Sequence, residues 1–248
     1  MAICGTGQAG GAVYTCLIGS GNTRMEGEKM GHLEFFGFSE KGLRERNEDA
    51  FLAADLGEMY VFAVAEGMGG PKEGPTAAQI AVDALGAGGA AREKTLAGTL
   101  EQLLGRAERA LYSLEAENPG IEPSGVALGV AIISPGGECV VSSPGSRKVF
   151  FLAEEEKGTA PDAASAGQGQ LTLHDPGPGM HEATLPPGYL VLCSDGISDF
   201  IPDSRIVEIV AERGDDLEDA CRKLVYEAFQ NGSDDNLTVV LVRRRASS

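Results

Sequence analysis

Four stretches of this chain place carboxylates where a cation could be held: Glu48-Asp49, Glu66-Gly67, Asp195-Gly196, and Asp234-Asp235-Asn236 within Gly232–Thr238. Each stands at the edge of an apolar run rich in β-formers, so each reads as an acid at a strand end. None has histidine or cysteine at metal-ligand spacing beside it. An all-oxygen set of this kind suits Mg²⁺ or Mn²⁺ better than Zn²⁺. Glycine directly after Glu66 and Asp195 lets the backbone turn tightly and turns a carbonyl toward an ion. Two such ions about 3.5–4 Å apart would activate a water and clamp a phosphoryl oxygen. Arg44, four residues before Glu48, is suited to grip a phosphate dianion with two parallel hydrogen bonds. Taken singly, an acid-plus-glycine pair at a strand end is more often a turn than a ligand; the argument rests on the set.

The elements that must carry these groups are legible from periodicity. Leu33–Phe38, Ala50–Ala54 and Met59–Ala65 read as strands, and the pattern turns helical from Pro75 to about Leu85. Leu96, Leu100, Leu103, Ala107, Leu111 and Leu114 form one apolar stripe, which predicts a second helix. Val126–Ile133, Glu138–Ser142 and Lys148–Ala153 read as further strands, with Pro135-Gly136-Gly137 as a hairpin turn. Residues 154–170 and 175–188 read as loops. Tyr189–Cys193 is a buried strand that stops at Ser194-Asp195-Gly196. Asp203 is expected to cap a helix through Val210, and Asp215 or Asp216 a longer one carrying Leu217, Cys221, Leu224, Val225 and Ala228. Asn236–Val242 is the final strand. Strands in runs with helices between them predict sheets packed against helix layers.

Residues 1–30, rich in Gly, Thr and Ser, read as a flexible leader ahead of a single domain over 31–245, with Met25 and Met30 as alternative start sites. The 248 residues suffice for one sizeable core, and 42% hydrophobic with 23% charged residues is a globular composition. A formal net charge of −17 disfavours nucleic acid and anionic membrane surfaces as partners. Five cysteines without CxxC spacing point to a reducing compartment, and no apolar run reaches the length of a membrane span. The expectation is a cytoplasmic protein, monomeric by default. Gly67–Gly74 lacks the GK[ST] ending of a phosphate loop and is interrupted by Pro71. Arg243-Arg244-Arg245 reads as a solubilising basic tail.

The ordered set Arg44-x-x-Asn47-Glu48-Asp49, Glu66-Gly-Met-Gly-Gly-x-x-x-Gly74, Leu192-Cys-Ser-Asp-Gly196 and Gly232-Ser-x-Asp-Asn-x-Thr238 resembles the metal-dependent PP2C (PPM) protein serine/threonine phosphatases. The resemblance runs from about Phe35 to Val242. It implies an α+β fold, a four-layer α-β-β-α sandwich of two antiparallel sheets flanked by helices, with a binuclear Mn²⁺ or Mg²⁺ site at one end. It implies that Arg44 binds the substrate phosphate. Glu48 and Asp49 would make direct or water-mediated metal contacts. Glu66 would bridge both metals with help from the Gly67 carbonyl. Asp195 and Asp235 would hold one metal from the opposite sheet, and Asn236 would support the loop. The implied substrate is a phosphoprotein, hydrolysed at phosphoserine or phosphothreonine by a metal-bridging hydroxide.

The chain departs from the family pattern at several points. Glu66 stands where the family has Asp, which moves the carboxylate by about 1.5 Å, one C–C bond. Pro144-Gly145-Ser146-Arg147 replaces Gly-Asp-Ser-Arg, removing a ligand for an extra metal. Gly125-Val126-Ala127 lacks the family's hydroxyls, and the short segment between Arg147 and Asp195 implies a reduced substrate flap. These departures motivate the alternative of a catalytically weak or inactive PP2C-like binding module.

Overall fold

The computed structural model describes residues 5–6, 12–15, 23–26, 33–68, 76–87, 95–118, 125–143, 149–154, 171–174 and 179–245. In chain order the elements are β1 (Gly5–Thr6), β2 (Ala12–Thr15), β3 (Thr23–Glu26), β4 (Leu33–Glu40), β5 (Asp49–Asp55), β6 (Tyr60–Met68), α1 (Ala77–Gly86) and α2 (Leu96–Glu117). Then follow β7 (Gly125–Ile133), β8 (Glu138–Ser143), β9 (Val149–Glu154), β10 (Leu171–His174), β11 (Gly179–Thr184) and β12 (Gly188–Cys193). The chain closes with α3 (Asp195–Ser198), α4 (Asp203–Arg213), α5 (Leu217–Gln230) and β13 (Leu237–Arg244).

Side-chain alternation along the strands sorts the apolar residues into three layers. On β5 and β6, Ala50, Leu52, Ala54, Val61, Ala63 and Ala65 face one way, against Ala81, Leu85, Leu100 and Leu103 of α1 and α2. The intervening Phe51, Phe62 and Val64 face the other way, meeting Leu190, Leu192, Val240 and Val242 of β12 and β13. Phe35 and Phe62 make an edge-to-face pair there, centroids 5.6 Å apart. On the far side, Val191, Cys193, Val239 and Leu241 pack on Ile206, Val210, Cys221 and Leu224 of α4 and α5. Fully burying a side chain of this size contributes about 1.5–3 kcal/mol.

The strands form a seven-stranded sheet in the order β1-β2-β5-β6-β7-β8-β11 and a six-stranded sheet in the order β10-β9-β12-β13-β4-β3. Pairing is antiparallel between all neighbours. The architecture is thus the α-β-β-α sandwich expected from the motifs. Thr76 and Thr95 cap α1 and α2, their hydroxyls each accepting a backbone N–H at 3.1 Å. Asp216, the second of the two candidates, caps α5 by accepting from Asp219 N at 3.0 Å.

Several expectations need correction. Residues 5–6, 12–15 and 23–26 are strands paired at sheet edges, although the segment 1–30 reads as an irregular leader. The stretch 175–188 contains β11, registered on β8 along its whole length. Its exposed face carries no apolar alternation, so the sequence gives no strand signal. Asp203 is the first helical residue of α4, not its cap; Pro202 holds that position and no side chain caps it. Asp195 opens a short helix, α3, where only a turn was expected. Arg243 is no solubilising tail: at 6% exposed, it donates to Glu34 and, at 3.0 Å, to the Gly214 carbonyl. Burial alone would push the Glu34 pKa up, but the Arg243 and Arg245 guanidiniums outweigh it and hold the carboxyl below its ordinary value. Residues 144–147 and 155–170, for which a lost ligand and a loop were expected, and 69–75, which hold most of the Glu66–Gly74 motif, lie outside the described residues. No helix among the described residues is long and apolar enough to cross a membrane.

Candidate metal centre

Antiparallel pairing brings the start of β5 beside the end of β6, and the end of β12 beside the start of β13. Asp49 and Glu66 are direct cross-strand partners. Alternation gives Asp49 the same side as Phe51, and Glu66 the same side as Phe62 and Val64, so both carboxylates emerge where the inter-sheet core ends. Asp49 is 4% exposed. Like charges directly opposite on a sheet are destabilising.

The opposite sheet supplies the other half. Glu66 Oε1 accepts from the Asp195 backbone N–H at 2.7 Å, a charge-assisted bond across the gap between sheets. Asp235 Oδ2 accepts from Arg44 at 2.8 Å, in a pair whose side chains are 36% and 54% exposed. Asn236 knits the intervening loop. Its Oδ1 accepts from Glu48 N at 2.8 Å, and its Nδ2 donates to the Lys41 and Arg46 carbonyls at 2.8 and 2.9 Å. Gly67 N donates to the Glu48 carbonyl at 3.0 Å, fixing the corner between β5 and β6.

Two glycines permit this closeness. Gly42 has φ +61, and a Cβ there would lie 2.2 Å from the Asp235 carbonyl oxygen. A Cβ on Gly196 would lie 2.0 Å from the Asn236 carbonyl oxygen.

All eight residues singled out from the sequence therefore meet at one end of the sandwich: Arg44, Glu48, Asp49, Glu66, Gly67, Asp195, Asp235 and Asn236. As the side chains stand, no group of three acidic or imidazole or thiol ligands among the described residues converges on one point. Glu66 is turned to the Asp195 amide and Asp235 to Arg44. The donor set is nevertheless all oxygen, and the opposed pair Asp49 and Glu66 gains from a cation between them, so the residues fit a hard divalent ion. Burial pushes the Cys139 thiol up to about 12 and raises Cys221 as well, so neither of these two is a ready nucleophile.

Sequence reading assigned no role to Ser39, Asn47, Ser194 or Thr238, which are buried and hydrogen-bonded just beneath the carboxylates. Asn47, Ser194 and Thr238 lie inside the quoted motifs; polar residues inside apolar strand ends were the available signal.

The model of the Stage II sporulation protein E (SpoIIE) family matches residues 57–245. The chain belongs to this family. Its fold is PP2C-like. The match begins after the Arg44–Asp49 loop. The serine/threonine protein phosphatase PstP of Mycobacterium tuberculosis is 29% identical over 238 residues, covering 84% of this chain and 44% of that protein. The chain thus spans less than half the length of this curated relative. A probable protein phosphatase 2C of Arabidopsis thaliana is 46% identical over 55 residues, 22% of this chain and 15% of that protein. The solved catalytic domain of PstP, in complex with two manganese ions, superposes with a TM-score of 0.66 at 22% identity, over 86% of this chain and 99% of that one. The phosphatase Stp1 of Staphylococcus aureus gives a TM-score of 0.67 at 20% identity, over 90% and 98% of the two chains. Likenesses at this identity establish the shared fold.

Proposed function

We propose that this two-sheet domain is a metal-dependent protein serine/threonine phosphatase. The observation that carries this reading is the meeting of Asp49 and Glu66 from one sheet with Asp195 and Asp235 from the other, linked by the Glu66–Asp195 bond. Glu48, Asp49, Glu66 and the Gly67 carbonyl would hold Mn²⁺ or Mg²⁺ from one side, and Asp195 and Asp235 from the other. Bound as a pair, such ions supply an acidified water and offset negative charge on the phosphoryl group.

The protein's own groups do the rest. Arg44 exchanges Asp235 for the substrate phosphate. Its present pair is exposed, and such pairs contribute about 0.2–1 kcal/mol, so release costs little. A bidentate grip then orients the phosphorus toward the carboxylate cluster. Asn236 keeps the Arg44 loop at a fixed distance from β13 through its three side-chain bonds. A phosphoprotein would be the substrate, and a monomeric, cytoplasmic protein is the setting in keeping with its acidity and reduced thiols.

The test is hydrolysis of a phosphoserine peptide with Mn²⁺ or Mg²⁺ titrated in, beside Asp195→Asn, Asp235→Asn and Arg44→Ala. Metal-dependent turnover lost in the two asparagine variants, with a raised KM for Arg44→Ala, is the expected result. Wild-type turnover no greater than that of Asp195→Asn at saturating metal would refute the reading.

A further inference from the structure

The apolar core between the sheets does not run straight into the carboxylates; it ends in a layer of hydroxyl and amide groups. Thr238 takes the same side of β13 as Val240 and Val242, and Ser39 the same side of β4 as Leu33 and Phe35. Both are 0% exposed, and their hydroxyl oxygens lie 2.7 Å apart. Ser39 Oγ accepts from Asn47 Nδ2 at 2.9 Å, and either hydroxyl of the Ser39–Thr238 pair can donate to the other. The other end of the Asn47 amide, Oδ1, accepts the Asp49 backbone N–H at 3.2 Å. On the opposite side, Thr238 N–H donates to Ser194 Oγ at 3.0 Å and Ser194 N–H donates to the Thr238 carbonyl at 2.9 Å. The Ser194 hydroxyl reaches the Asn236 carbonyl at 3.4 Å. Joined through the covalent frame of Thr238, these bonds link the backbone of Asp49 to the residue before Asp195 and the residue after Asp235.

We infer that Ser39 and Thr238 are positioning residues that set the spacing between Asp49 on one sheet and Asp195 and Asp235 on the other. The inference rests on the reading of those carboxylates as metal ligands and goes beyond it, because neither hydroxyl touches cation or substrate. Packing alone does not call for these groups. Valine matches threonine in volume, suits a strand, and would remove a polar atom from the interior. A fully satisfied buried network contributes rigidity and a unique geometry instead. Groups that orient metal ligands without touching the metal typically change metal affinity or activity about 10–100-fold when removed.

Three variants separate the hydroxyl from the packing. Thr238→Val keeps the volume and removes the hydroxyl; Thr238→Ser keeps the hydroxyl and removes a methyl; Ser39→Ala breaks the same link from the other strand. Amide exchange at Asp49 is followed in the metal-free protein, Mn²⁺ affinity by calorimetry, and kcat and KM on a phosphoserine peptide. Thr238→Val and Ser39→Ala are expected to speed Asp49 exchange and weaken Mn²⁺ binding about 10–100-fold. Peptide KM, set by Arg44, stays within about twofold while kcat falls. Thr238→Ser retains wild-type exchange and affinity even where its melting temperature drops. A folded Thr238→Val with wild-type Mn²⁺ affinity and Asp49 exchange overturns the inference. So does a Thr238→Ser as impaired as Thr238→Val, since that assigns the effect to packing. If Thr238→Val fails to fold, Ser39→Ala decides by the same two readouts. A wild type that binds Mn²⁺ without hydrolysing the peptide sinks the phosphatase reading, while exchange and affinity still judge the positioning. A wild type that binds no Mn²⁺ overturns both.

Discussion

Alanine at Gly196 probes the closest backbone contact of the site. A Cβ there falls 2.0 Å from the Asn236 carbonyl oxygen and 3.1 Å from its carbon, whereas ordinary contact begins at 3.4 Å. Relief therefore requires a movement of about 1.4 Å, the difference between 3.4 and 2.0. Neither side yields readily: Gly196 is buried, and the Asn236 side chain is tied to Lys41, Arg46 and Glu48. Gly196 does not have a positive φ, so the penalty is steric and not conformational. Overpacking of this kind costs about 1–3 kcal/mol. At about 2–4 °C per kcal/mol for a domain of this size, the melting temperature falls by roughly 2–12 °C. The displacement reaches Asp195, the adjacent residue, and Asp235 across the contact. A misplacement of about 1 Å costs on the order of 100-fold in turnover. Urea melts together with Mn²⁺-dependent phosphopeptide hydrolysis measure both effects. Gly57→Ala is the control. Gly57 has φ +89 with nothing within 4 Å of a Cβ, so its variant loses stability through the backbone and keeps its turnover. A folded Gly196→Ala with wild-type kcat and melting temperature would refute the reasoning.

Other perturbations test other contacts. Glu66→Asp withdraws the carboxylate by about 1.5 Å and opens the 2.7 Å bond to the Asp195 amide. The metal-free protein should lose about 1.5 kcal/mol in denaturant melts; an unchanged midpoint would count against that bond. Arg205 hydrogen bonds hold Glu227 down to about 2 from an ordinary 4.5. Because the folded value is depressed, this stabilisation is complete above about pH 4.5 and lost as pH falls toward 2. The stability gap between wild type and Arg205→Ala should therefore be flat above that pH and close below it, and a gap independent of pH contradicts the pairing. Arg243→Ala leaves the partly buried Glu34 with only the exposed Arg245 guanidinium and should cost about 3 kcal/mol by chemical denaturation. A loss under 0.5 kcal/mol would restore the view of Arg243 as a surface charge.

Much of the architecture was legible because its signals are local. Met59–Ala65 and Tyr189–Cys193 are continuous apolar runs, and strands buried on both faces must read that way. The stripe from Leu96 to Leu114 follows from one apolar face on α2. Acid-plus-glycine pairs at strand ends marked the site because both a turn and an oxygen ligand leave traces in residue type. What was illegible depends on distant neighbours. β11 is held by main-chain bonding to β8, which any sequence can supply, and its side chains face solvent. Arg243 resembled a tail charge until β4 brought Glu34 alongside it. Ser39 carries no signature by itself, since its partner Thr238 comes some two hundred residues later in the chain.

The bonds that close the site are among the most distant in sequence: 188 residues separate Glu48 from Asn236, 191 separate Arg44 from Asp235, and 195 separate Lys41 from Asn236. β13 is also the interior strand that joins β12 to β4. During synthesis the Arg44–Asp49 loop and Glu66 leave the ribosome far ahead of Asp235, and until β13 arrives no strand bridges β4 and β12 within their sheet. A growing chain thus holds Asp49 and Glu66 opposed before Asp195 and Asp235 have been made. Loop closure across so many residues comes late, because its entropy must be met before the contacts form. The carboxylate cluster is therefore a product of complete folding, and no nascent fragment ending before Leu237 can display it.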